Sequence, residues 1–262
     1  MAAGTSKPEP LLVVEGIALR LGGLTILDDV RLRVDRGAIH GLLGPNGAGK
    51  TSLFNCVCGL YSAQAGIVRF EGVDLLQTAP HSLAGRGLSR TFQHPTLDPH
   101  LSVLENTMAG ATSRMRGGFL TSSVALPGVR ADERRVRAEA EAWLERVGLA
   151  DVATESPDAL PYASQKLAEL ARAMVSAPRM LLLDEPAGGL SHAEVARLGD
   201  LISQLRNEHD VTVLLVEHHM GLVSQITDRV DVLVEGRNVM TGTAAEVRKD
   251  PRVVQAYLGE AA

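Results

Sequence analysis

Aromatic side chains make up only 3% of this 262-residue chain, and its two cysteines, Cys56 and Cys58, are the only ones it has. Each scarcity excludes something. No apolar run approaches the ~20 residues a helix needs to cross a bilayer. The first ten residues, MAAGTSKPEP, are polar and proline-containing where a secretory signal has an apolar centre. A cytosolic location is therefore expected. The cysteines stand two apart on a predicted helix and point to different faces, so disulfide or metal pairing is not expected and they read as small buried apolar residues. There is no long basic run, and the formal net charge is −5, which argues against nucleic acid as a partner because such binding is driven by phosphate neutralisation. Residues 130–137 are locally basic, but Asp132 and Glu133 are mixed in, and a solvated helix face is the reading.

What is present is concentrated in one octapeptide. Residues 44–51 read GPNGAGKT, a full match to the phosphate-binding pattern GxxxxGK[ST]. The apolar run 38–43 before it reads as a buried strand, and 52–57 continues as a helix, the context the motif requires. Gly44, Gly47 and Gly49, with Pro45, Asn46 and Ala48 between them, turn the backbone so that several N–H groups face one anion, and the helix opening at Ser52 adds its positive end. Lys50 is placed to reach β- and γ-phosphates, and the Thr51 hydroxyl to ligate Mg²⁺. A nucleoside triphosphate is the expected ligand.

Further strands are expected at 11–19, 30–34 and 67–70, forming a β-rich entry region. From residue 102 the period becomes helical: Val136, Ala140, Trp143, Leu144 and Val147 share one face, as do Leu167, Leu170, Ala171 and Met174. Residues 115–129 are rich in Gly, Ser and Pro and read as an excursion. Strands return at 180–183, 211–216 and 230–234, with a helix over 192–206, the alternation that builds a parallel sheet. The expected fold class is α/β: a nucleotide-binding core of 1–93 and 177–262, with a helical segment of 94–176 inserted.

The apolar strand 180–183 runs into Asp184 and Glu185, which places two carboxylates at a sheet's carboxyl edge. Asp184 suits Mg²⁺ held through water, and Glu185 a base that polarises the attacking water. His218 follows strand 211–216 at a corresponding edge, where an imidazole can donate to a γ-phosphate; His219 beside it has no assignment. Gln93 is read as closing a short strand and carrying a carboxamide to Mg²⁺ or to the attacking water.

The order GPNGAGKT, TFQ, LLLDEP, VEH resembles the ATP-binding cassette ATPases over nearly the whole chain. The resemblance implies a phosphate-loop core with an antiparallel β-subdomain and an inserted α-helical subdomain. It makes Gln93 the Q-loop residue, Asp184 and Glu185 the Walker B carboxylates, residues 188–191 the D-loop and His218 the switch histidine, with ATP and Mg²⁺ as cofactors. It also implies a second cassette, identical or not, set head to tail, separate permease chains at the inner face of the membrane, and indirectly an extracytoplasmic substrate-binding protein.

In the register of the family signature, usually LSGGQ, stands LPYAS at 160–164, which makes Tyr162 and Ala163 nucleotide contacts from the partner side. Tyr162 and the closing 256–259, AYLG, resemble importers of branched-chain amino acids and related amides. Three positions depart from the pattern. Pro161 replaces a serine hydroxyl, Ala163 adds a methyl where glycine is usual, and Leu21 stands where an aromatic stacks on adenine. Together these weaken the site by about 3 kcal/mol, or about two orders of magnitude. Two outcomes stay open: a slow but working ATPase powering an importer, or a nucleotide-gated subunit with little hydrolysis.

Overall fold

The computed structural model describes residues 10–114 and 127–258. In chain order the elements are β1 (Pro10–Leu21), β2 (Leu24–Asp35), β3 (Ile39–Leu43), α1 (Lys50–Val57), β4 (Ala65–Phe70), β5 (Val73–Asp74), β6 (Leu88–Arg90), α2 (Val103–Ala109), α3 (Pro127–Val147), α4 (Tyr162–Val175), β7 (Met180–Asp184), α5 (His192–His209), β8 (Thr212–Val216), α6 (Met220–Ile226), β9 (Arg229–Val234), β10 (Arg237–Gly242), α7 (Ala244–Val247) and α8 (Pro251–Leu258). Among the described residues no helix is long and apolar enough to cross a membrane. The chain divides into two compact units, Met1–Pro80 with Ile202–Ala262, and His81–Leu201. The segment 94–176 lies wholly in the second.

In the first unit, β2-β1-β4-β5 form an antiparallel sheet. The long β1–β2 hairpin turns at Gly22-Gly23 and carries register shifts near Gly16. Beside it, β3 runs parallel to both β8 and β9, and β10 closes antiparallel on β9. All five residues of β3 and all five of β8 are buried, which is why both read in sequence as unbroken apolar runs rather than alternations. Cys56 and Cys58 form no disulfide and are buried at the end of α1.

In the second unit, β6 and β7 pair in parallel, Arg90 level with Leu182. Helices α2, α3 and α4 pack on one another. The α3 face expected from the period is buried at Val136, Ala140, Trp143, Leu144 and Val147, and the α4 face at Leu170, Ala171 and Met174. The outer face of α3 carries Arg135–Glu139 and Arg137–Glu141 pairs one turn apart, the solvated face expected for 130–137. Where α2 ends against α4, a Cβ on Gly110 would stand 1.9 Å from the Arg172 carbonyl oxygen, so only glycine fits. A reciprocal Ser102–Glu105 capping box starts α2. The excursion expected over 115–129 falls mostly outside the described residues, α3 beginning at Pro127; residues 1–9 and Gly259 also lie outside them.

Candidate functional site

The first unit holds the phosphate loop. β3 delivers the chain at Gly44, and α1 starts at Lys50 with Gly49 as its N-cap at φ 97°. No side chain caps that helix start and no acidic residue stands in its first turn. Its first N–H groups and the positive end of its dipole thus face no competing carboxylate of their own helix. Lys50 is buried, and its Nζ donates to the carbonyls of Gly44 at 2.7 Å and Pro45 at 2.8 Å, which holds the ammonium over the loop. Ala48 is buried and its carbonyl accepts from the Gly236 N–H at 3.1 Å; Asn46, Gly47 and Thr51 are exposed, and Ser52 is half-buried.

Gly44 cannot carry a side chain. Its φ is 148°, and a Cβ would lie 2.1 Å from the Leu233 carbonyl oxygen. Its N–H donates at 3.0 Å to the hydroxyl of Tyr257 on α8. Nothing in the motif foretells this bond, since the two residues are 213 apart; the sequence points at 256–259 only through resemblance.

His218 leaves β8 at the same edge. Leu42 pairs with Val216, and Gly44 and His218 each follow two residues after that pair. The His218 ring is exposed, and its backbone N–H donates to the buried Glu217 carboxylate at 3.0 Å, as does the N–H of His219. His219, unassigned from sequence, is the N-cap of α6: its Nδ1 accepts from the Leu222 N–H at 3.2 Å. Leu21 is 39% exposed at the tip of the β1–β2 hairpin, opposite Leu24.

The second unit gathers Gln93, Asp184, Glu185, Tyr162 and Ala163. Asp184 is the last residue of β7, buried, and its Oδ2 pairs with Arg90 Nη2 at 2.8 Å, both side chains under a tenth exposed. Arg90 was not singled out in sequence; the only signal is its place just ahead of Thr91-Phe92-Gln93. Glu185 follows with φ 48°, a conformation costly for a residue with a Cβ. Its Oε2 accepts from Gln93 Nε2 at 2.9 Å. The sequence expects Gln93 to close a strand, but β6 ends at Arg90. After the last ladder bond, from Thr91 N–H to the Leu182 carbonyl, the chain peels away toward His94-Pro95, so Gln93 sits on a loop.

Signature residues stand at the head of α4. Pro161 is its N-cap, with no side-chain cap bond. The Tyr162 hydroxyl donates to the Gln93 carbonyl at 3.2 Å. Burial, then the Glu169 carboxylate, hold that phenol above its ordinary value, so it is a protonated donor at neutral pH. Ala163, with Leu167, Leu183 and Pro186, lines a cavity beside it.

A glycine-rich loop between a buried parallel strand and an uncapped helix start, with a lysine folded over it, defines a phosphate-loop nucleotide-binding protein. The family model described as ABC transporter matches residues 27–188, and a second, for the branched-chain amino acid ATP-binding cassette transporter, matches 237–262. The chain belongs to the ABC transporter family and is an ATPase of it. It is 40% identical over 252 residues, 96% of this chain and 99% of the relative, to the high-affinity branched-chain amino acid transport ATP-binding protein BraF of Pseudomonas aeruginosa. To the high-affinity branched-chain amino acid transport ATP-binding protein LivG of Escherichia coli it is 39% identical over 253 residues, 97% of this chain and 99% of that one. A solved ATP-binding cassette of an ABC transporter in its ADP conformation superposes with a TM-score of 0.82 at 28% identity, covering 96% of this chain and 99% of the other.

Proposed function

We propose that this chain is the ATP-hydrolysing subunit of an importer for branched-chain amino acids or related small amides. Relatives matched over nearly their whole length are named high-affinity branched-chain amino acid transport ATP-binding proteins, and the segment 237–262 matches the branched-chain family model. The observation that carries hydrolysis is the carboxylate of Glu185, held by Gln93 Nε2 at 2.9 Å directly after the buried Asp184.

In this reading Lys50 and the loop 44–52, through its N–H groups beyond Pro45, hold the triphosphate, Leu21 borders the base, and Glu185 takes a proton from the attacking water while His218 donates to the terminal phosphate. Thr51, Gln93 and Asp184 offer hydroxyl, carboxamide and carboxylate oxygens, the donor set Mg²⁺ prefers. Among the described residues no cluster of His, Cys, Asp and Glu could hold a metal alone. When bound, Mg²⁺ would neutralise charge on the phosphates.

Two such chains, or this one and a sister cassette, associate head to tail, and Tyr162 and Ala163 cover the partner's nucleotide. Residues 94–176 form the inserted helical segment that meets separate permease chains at the inner membrane face, and an extracytoplasmic binding protein supplies the cargo. Nucleic acid is not a partner. Glu185→Gln is expected to lower ATP turnover of the assembled dimer by about two orders of magnitude or more with binding retained; unchanged turnover would overturn the assignment.

A second reading, nucleotide gating with little hydrolysis, is favoured by the uncapped start of α4 at Pro161. Restoring serine at 161 and glycine at 163 then raises turnover strongly, and no gain counts against it.

A further inference from the structure

The backbone of Glu185 is held in a conformation it does not favour, and the group that holds it comes from the helix whose first turn is the signature. Lys166, four residues after Tyr162 on α4, donates from Nζ to the Glu185 carbonyl at 2.9 Å and to the Pro186 carbonyl at 3.3 Å. The Glu185 carbonyl also accepts from the Gly188 N–H at 3.1 Å, closing the turn that leads into the D-loop segment. At φ 48° this carbonyl points where a residue in the ordinary helical or extended region would not send it, and an ammonium is a strong partner for a carbonyl turned that way.

Lys166 is itself placed. Its Nζ lies 5.3 Å from the centroid of the Tyr162 ring, one helical turn back on the same face. That ring also walls the D-loop: a Cβ on Gly189 would come within 3.1 Å of Tyr162 Cε1. The Tyr162 hydroxyl meanwhile donates to the Gln93 carbonyl at 3.2 Å, and the Gln93 side chain donates to the Glu185 carboxylate. One helix start therefore grips the main chain on both sides of a single carboxylate, at Glu185-Pro186 and at Gln93.

We propose that Lys166 is a positioning residue for Glu185 and that Tyr162 is the brace that aims it, both acting within one chain. This is separate from cover given to a partner's nucleotide, and it rests on the assignment of Glu185 as the base. The small residue expected at the tyrosine's place in the general signature could supply neither the ring nor the hydroxyl. In this chain the signature helix thus sets the catalytic backbone of its own cassette.

The test compares Lys166→Met, Lys166→Arg, Tyr162→Phe and Glu185→Gln in the full chain, reading ATP turnover, ATP affinity and amide exchange at Ala187 and Gly188. Lys166→Met is expected to lower kcat about ten- to a hundredfold with KM nearly unchanged, and to speed exchange at Gly188. Lys166→Arg restores most of both, because a guanidinium reaches the same carbonyls. Tyr162→Phe keeps the ring and loses the hydroxyl, so it lowers kcat by about two- to fivefold and remains informative should Lys166→Met fail to fold. Wild-type kcat and exchange in Lys166→Met and Tyr162→Phe, with Glu185→Gln inactive, would overturn the positioning role while leaving the base in place. Faster exchange in Lys166→Met together with full activity in Glu185→Gln would support the brace and overturn the base.

Discussion

Replacing Tyr257 by phenylalanine removes one bond of the phosphate loop. The ring stays packed against the apolar cluster that includes Leu43, Val230, Val232, Val247 and Val253, and the hydroxyl that accepts from the Gly44 N–H at 3.0 Å is lost. Gly44 is buried, and the Leu233 carbonyl stands 2.1 Å from where its Cβ would be, so the loop has no room to turn this N–H to water. A buried amide left without an acceptor costs about 1–3 kcal/mol, a factor of about 5–150 in an equilibrium constant. Where the loss shows depends on whether the loop opens before the protein unfolds. If it stays shut, the urea midpoint falls and ATP affinity is kept; if it opens locally, affinity falls and global stability is kept. Urea unfolding followed by circular dichroism, and ATP binding by calorimetry, measure the two losses, whose sum is expected to reach at least about 1 kcal/mol. A variant within about 0.3 kcal/mol of the parent in both would refute the role given to this bond.

Gly110→Ala forces a methyl against the Arg172 carbonyl oxygen, 1.9 Å away, and is expected to destabilise the chain by about 1–3 kcal/mol or more, read as a lowered thermal midpoint; an unchanged midpoint would mean α2 and α4 do not cross there. Burial pushes the Cys56 thiol up to about 11, so at pH 8 in a Cys58→Ala background iodoacetamide should label the native chain about two orders of magnitude more slowly than the urea-unfolded chain. Equal labelling rates would show Cys56 to be open to solvent. Burial first, opposed by Arg172 and by donors from Thr96 and Phe92, holds the Glu169 carboxyl above its ordinary range. The folded chain therefore binds this proton more tightly than the unfolded one, and stability declines as pH rises from the ordinary glutamate value through the raised folded value. Glu169→Gln should flatten that decline in unfolding free energy against pH; an unchanged slope would remove Glu169 as its source.

The phosphate loop was legible because its whole vocabulary is contiguous, and β3, β7 and β8 because strands buried on both faces need apolar residues at every position. The helix faces of α3 and α4 were legible from their period alone. The entry hairpin was read too short. Its register shifts around Gly16, and Asp29 at φ 53° breaks the alternation of β2, so a period of two survives only in pieces of the two twelve-residue strands. The bonds that set the site, Tyr257 to Gly44, Arg90 to Asp184 and Lys166 to Glu185, were not legible, since they join segments that no periodicity relates. The Arg90 pair matters for the family roles: the carboxylate suited to Mg²⁺ already lies against a guanidinium.

Glu217 gives the neighbouring imidazole an anchor. Its carboxylate is fully buried and takes the amides of both His218 and His219, so dragging that stretch of backbone outward would strip a charged group of its donors in a water-poor interior. Sliding the main chain is therefore the expensive way to answer a phosphate. Spinning the ring about its own two torsions is the cheap one, and its sweep is only a few ångströms. Whatever message this residue relays is sent by a swivel fixed to a post.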